Sequence, residues 1–269
     1  MKEGFLKYWK DRTKKDKIFT TVLTVYFVFC LFSGCYWIID FSLRNFFMSM
    51  LFLLFIPAVY LVEYFLGFRF GGLFLGCVLF IAMGGILGTC FDFYSLIPFF
   101  DNILHGLSGF VFACLGFSLG EKFFGKAEGK RSFFGCLLFG VCFSLAIAVV
   151  WELFEYACTA FFGFDMMEDS IVTEIRSYLL AGGHNEVVSL TDITQTIVYY
   201  GDGKTFVLNG YLDIGLLDTL HDMIVCTVGA VVFVVVVTLS KRFFPKCNEV
   251  LIPQERDWVS VNGDENANV

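Results

Sequence analysis

Charge is scarce in this chain: 17% of its 269 residues are Asp, Glu, Lys or Arg. Several windows of about 20 residues carry none, and that is the length a helix needs to cross the hydrocarbon layer of a membrane. Histidine is rarer still, with 3. No concentrated basic face exists outside short loops and the formal net charge is -7, which argues against a nucleic-acid binder, because phosphate recognition needs clustered Lys and Arg. No P-loop, G-x-S-x-G, H-E-x-x-H or kinase signature is present, so the mechanisms those motifs carry have no support. The 10 cysteines include no zinc-type C-x-x-C pair. All but Cys247 fall within or at the ends of apolar segments, where free Cys behaves as a small buried hydrophobe.

What fills the chain instead is apolar: 57% of residues are hydrophobic, and 36 are Phe. Lipid is the solvent for most of it. The expected fold class is an all-α polytopic membrane protein, a six-transmembrane-helix bundle with a small extracytoplasmic α/β insert between helices 5 and 6. Residues 1–17 form a basic N-terminus, 18–160 hold five spans, 161–211 are an acidic insert, 212–240 are the sixth span and 241–269 the tail. The spans read as 18–39, 46–66, 70–91, 102–121, 133–160 and 212–240. The lysine-rich start resembles the n-region of a signal peptide, but the apolar run behind it is too long, so it is expected to stay as a signal anchor. With the N-terminus inside, 16 of the 19 basic residues are cytoplasmic and Arg44, Arg176 and Lys204 are outside. That bias predicts both termini in the cytoplasm, and the expected location is a bacterial cytoplasmic (inner) membrane.

Span three carries Gly71, Gly72, Gly76, Gly84, Gly85 and Gly88, and span four Gly106, Gly109, Gly116 and Gly120, spacings that let helix backbones approach closely. Pro57 is expected to kink span two. In the insert, Asp169 reads as the N-cap of a short helix through Leu180 ended by Gly182 and Gly183, and the stretch around Asp202-Gly203 reads as a β-hairpin. From Phe164 to Asp213 the insert holds eight acids and two bases. His184 reads as a solvated loop residue, Glu63 and Asp92 as interfacial, and the tail after Pro245 as flexible. Tyr36, Trp37, Trp151 and Tyr156 read as an aromatic belt, with Trp151 also able to wall a site.

The informative residues are the ionisable ones that interrupt apolar runs, since charge in a membrane helix is costly. They fall in three blocks: Asp101 and His105; Glu152 and Glu155; Asp218, His221 and Asp222. Each block occupies one helix face. Counted from Glu121, His105 and Asp101 lie roughly 24 and 30 Å along their helix. From Phe134, Glu152 and Glu155 lie roughly 27 and 32 Å along; from Ser240, Asp222 and Asp218 lie roughly 27 and 33 Å along. All seven reach one layer near the outer face. So many acids in one layer need a cation or shared protons to offset their repulsion, unless they simply face water at the membrane surface. Carboxylate with imidazole suits zinc, manganese or iron, with Asp101, His105, Glu152, Asp218 and Asp222 as ligands and Glu155 or His221 as general base. The alternative to a joint site is a set of independent residues, with Asp101 capping its helix, Glu152 and Glu155 among the headgroups and His221 satisfying a carbonyl.

The blocks D-x-x-x-H-x-x-x-G (Asp101, His105, Gly109), W-E-x-x-E-Y (Trp151, Glu152, Glu155, Tyr156) and G-x-x-D-T-x-x-D-M (Gly215, Asp218, Thr219, Asp222, Met223) resemble the YjdF-like inner-membrane proteins of unknown function. Leu216 departs from that pattern, which has an acid there. The resemblance covers spans three to six and implies no activity. Three functions are consistent with the residues: a metal-dependent hydrolase acting on a lipid or envelope substrate, a cation- or proton-coupled transporter, and a non-catalytic structural or partner-binding membrane protein. The expected surroundings are the lipid bilayer, with no nucleic-acid partner.

Overall fold

The structure is a computed structural model describing residues 2–182, 186–244, 248 and 250–256, the side chains of residues 2 and 3 excepted; His184, Cys247 and the DENANV end lie outside the described residues. Among the described residues, six helices are long and apolar enough to cross a membrane: Lys17–Ile39, Leu43–Leu66, Gly72–Phe91, Phe100–Phe124, Lys130–Phe162 and Leu216–Phe243. Each end falls within about four residues of its expected position, the usual uncertainty of helix boundaries read from sequence. On these helices Val25, Phe32, Leu54, Phe65, Phe80, Val150, Val231 and many like them are exposed. Water would not tolerate so continuous an apolar surface, and a bilayer requires it.

The chain divides into two compact units, Met1–Ala148 with Val225–Val269, and Val149–Ile224. In the first, helix α1 (Lys2–Lys15) precedes the first span, α2 (Lys17–Ile39), whose N-cap Asp16 accepts the Phe19 amide. The second span is α3 (Leu43–Leu51), a 3-10 turn at Phe52–Leu54 and α4 (Phe55–Leu66). The turn sits just before Pro57, which has no N–H for the Leu53 carbonyl and crowds it. The Tyr26 hydroxyl donates to the neighbouring Phe52 carbonyl at 2.9 Å, so the loosened backbone is partnered. The third span, α5 (Gly72–Phe91), buries Leu75, Leu79 and Ile86 in the core, and a short α6 (Phe93–Leu96) leads to α7 (Phe100–Phe124).

Helix α7 is where the small residues act. A Cβ on Gly116 would meet the Gly140 backbone of α8 (Lys130–Phe162), and one on Gly109 would meet the Cys226 carbonyl of α9 (Leu216–Phe243). On α9, Gly229 lies against the Gly106 carbonyl, and the Ser144 hydroxyl of α8 donates to the Gly109 carbonyl at 2.8 Å. Spans five and six are therefore both neighbours of span four, in backbone contact that a side chain would block. The span-three glycines differ: Gly84, Gly85 and Gly88 make room for the side chains of Leu104, Phe52 and Tyr94, and Gly76 has open space beside it.

One expectation in the first unit is corrected for the described part of the tail: Ile252 and Pro253 are buried, and β8 (Gln254–Glu255) pairs antiparallel with β1 (Phe68–Arg69). The Ser118 hydroxyl donates to the Pro253 carbonyl at 2.8 Å, and the Arg256 guanidinium lies 4.4 Å from the Tyr8 ring centroid. Apolar Ile-Pro inside a polar tail is what docks it. Glu63, three residues from the end of the second span, is fully buried in the protein against Arg12, as described below.

In the second unit, β2 (Ser170–Val172) pairs with β7 (Tyr211–Asp213), β3 (Ile175–Ser177) with β4 (Val188–Leu190), and β5 (Thr196–Tyr200) with β6 (Lys204–Leu208). The hairpin turns through Gly201 and Gly203, both at positive φ, where the absence of a Cβ is needed. The helix expected from Asp169 to Leu180 is absent. Its β-branched residues pair with distant strands, and only a 3-10 turn at Leu179–Ala181 remains, ended by Gly182 at φ 72.

Candidate functional site

Within the second unit, the last turns of α8 and the first turns of α9 bring three carboxylates together. Glu152 and Glu155 stand one turn apart on α8, and Asp222 faces them from α9; one oxygen from each lies within 4.8 Å of the others. Their exposures are 6%, 7% and 2%, so water does not screen the group. Ligands at about 2.0 to 2.6 Å from one ion fall within such a spacing. The Trp151 indole N–H donates to Glu155 Oε1 at 2.8 Å, which fixes that carboxylate's orientation. Apolar periodicity explains the burial of Asp222, which occupies the face of α9 that, in later turns, carries Cys226, Gly229 and Phe233 into the core.

The other expected residues are placed as follows. Asp218, one turn before Asp222, accepts the Glu168 amide at 3.0 Å and so ties the insert to the start of α9. The Asp213 carboxylate accepts the Leu217 amide at 2.9 Å, fastening the same helix end. His221 points to the exposed side of α9, away from the buried face of Asp222. In the first unit, Asp101 does not cap α7, whose N-cap is Phe99; its carboxylate lies 3.5 Å from His105 Nε2 across one turn. His105 is buried, and its carbonyl accepts the Cys226 thiol at 3.2 Å. Asp222 is four residues before Cys226, on the same stripe of α9.

A second ionic group escaped sequence reasoning. Arg12, 3% exposed, forks onto the fully buried Glu63 with Nε at 3.1 Å and Nη2 at 3.0 Å. Glu63 also accepts the Tyr8 hydroxyl and the Phe70 amide, each at 2.6 Å, while Arg12 Nη2 donates to the Phe70 carbonyl at 2.7 Å. Every partner is charged or strongly polar, which is the condition for burying a pair at tolerable cost. Burial, then the charge and hydrogen bond of Glu63, push the Tyr8 hydroxyl well above its ordinary range. Burial by itself would raise the Asp16 carboxyl, but the Phe19 amide and the Arg12 guanidinium hold it below the ordinary carboxylate value. A pairing across 51 residues leaves no local signal; Arg12 read only as one more basic residue.

Fold and residues together define a polytopic α-helical membrane protein with a buried carboxylate cluster at the insert-proximal ends of two spans. Residues 18–242 match the family described as Predicted membrane protein (DUF2238), and the chain belongs to that family. The match agrees with the resemblance carried by the three sequence blocks. No curated protein and no solved structure matches the chain.

Proposed function

We propose that Glu152, Glu155 and Asp222 hold a divalent cation and that the protein is a metal-dependent hydrolase acting on a lipid or cell-envelope substrate. The observation that carries this reading is the approach of three buried carboxylates within 4.8 Å. Like charges so close in low dielectric are stable together only with a cation or protons among them. An all-oxygen set favours manganese or iron, while imidazole from His105 would favour zinc. The depth of the sequence blocks adds Asp101, His105 and Asp218 as further ligands. A bound cation would supply Lewis acidity and an acidified water. Glu155, whose carboxylate is oriented by the Trp151 indole, would be the group to take the proton. The positive-inside bias puts the cluster toward the outer headgroups of a bacterial inner membrane, where such substrates lie.

The test is hydrolysis of phospholipid and envelope-lipid substrates by the detergent-purified protein. Activity abolished by chelator, restored by manganese, iron or zinc, and absent in Glu152→Gln supports the proposal; chelator-insensitive turnover overturns it. The same three carboxylates would also serve a cation or proton in transit. Cation or proton flux in proteoliposomes abolished by Asp222→Asn, without hydrolysis, would establish that second reading instead.

A further inference from the structure

Helix α1 is organised in three longitudinal stripes, one turned to the bundle and two largely exposed. Tyr8 and Arg12 face inward to Glu63, and Phe5 packs edge-on against Tyr64 at 5.3 Å between ring centroids. Beside that face run Leu6 and Trp9, which are 52% and 40% exposed although Trp9 also touches Tyr60. Next around the helix come Lys7, Lys10 and Lys14, at positions i, i+3 and i+7, all exposed. Leu6, Trp9, Lys10, Thr13 and Lys14 line an open groove of about 460 Å³. Among the side chains described on α1, Asp11 is the acid, and it lies on the far side of the lysine stripe.

We propose that this groove binds one anionic phospholipid, its acyl chain along Leu6 and Trp9 and its phosphate between Lys10 and Lys14. Three observations favour lipid over other phosphates. The helix is joined directly to an apolar span, Lys17–Ile39, so α1 ends where the membrane begins. Its apolar stripe lies between the bundle face and the lysines, the order in which a helix lying in the interface meets acyl chains and then headgroups. Trp is the side chain suited to that depth, and clustered Lys is the recognition element for anionic lipid surfaces. The Arg12–Glu63 fork fixes α1 to α4 and so holds this face of α1 in place in advance of binding.

The experiment is native mass spectrometry of the detergent-purified full chain titrated with phosphatidylglycerol, phosphatidylcholine or inorganic phosphate. Phosphatidylglycerol is expected to bind, and Lys10→Gln/Lys14→Gln to weaken it roughly thirty-fold, the effect of two interfacial lysines. Lys10→Arg/Lys14→Arg keeps the affinity, and Lys126→Gln/Lys130→Gln, in the basic loop between α7 and α8, leaves it unchanged. Equal affinity in the Gln variant, equal binding of phosphatidylcholine, or displacement of the lipid by inorganic phosphate would each overturn the proposal, the last by making the site one for a soluble phosphate compound.

Discussion

Removing the Arg12 guanidinium leaves the Glu63 carboxylate buried beside Tyr8 without its cation. Arg12→Met should destabilise the protein by about 3–5 kcal/mol, measured by thermal unfolding in detergent, and Glu63→Leu in the same chain should recover much of the loss. Asp16 offers a pH test of the same corner. Its folded-state carboxyl lies below the unfolded value, so its stabilisation is complete above the unfolded value and fades as pH falls through the folded one. Asp16→Asn keeps a capping side chain, so its deficit in melting temperature should be present at neutral pH and vanish in acid. A deficit independent of pH would show that the charge is not what matters. At this scale the sequence was informative for Glu152, Glu155 and Asp222, because acids inside apolar runs stand out. It was blind to Arg12 and Glu63, whose meeting depends on how α1 folds back.

Helix spans were legible because hydropathy and length alone define them, and Pro57 marked its own irregularity. The strands of the insert were less so, since three-residue strands carry too little periodicity to outweigh a local cap signal at Asp169. Helix contacts lie between these cases: Gly106 and Gly109 were flagged by spacing, whereas their neighbours across the interface, Gly229 and Cys226, were not. Gly109→Val and Gly229→Val force α7 and α9 apart, because each new Cβ would overlap a carbonyl of the other helix. Both should cut the yield of folded protein severely, read by size-exclusion chromatography. Gly76→Val, with open space beside it, should leave the yield near wild type. A normal yield for Gly109→Val would mean the helices do not touch there.

For the molecule as a whole, the described segments that flank the spans, α1 and residues 252–256, are structural parts of the bundle. Residues 252–256 reach from the sixth span back to α1, α4 and α7 through Pro253, β8 and Arg256. A chain truncated after residue 250 should still insert in the membrane, since all six spans remain, but should melt lower than the full chain. Unchanged melting would show the docked tail to be dispensable. At the insert-proximal ends of α8 and α9, three acids from two helices share a buried space. The most direct measurement is elemental analysis of the purified full chain beside an Asp222→Asn/Glu152→Gln variant of matched folding. About one manganese, iron or zinc ion per chain in the wild type, lost in the variant, is the predicted result. Metal-free protein that stays metal-free after reconstitution, or equal metal in both chains, would contradict the account.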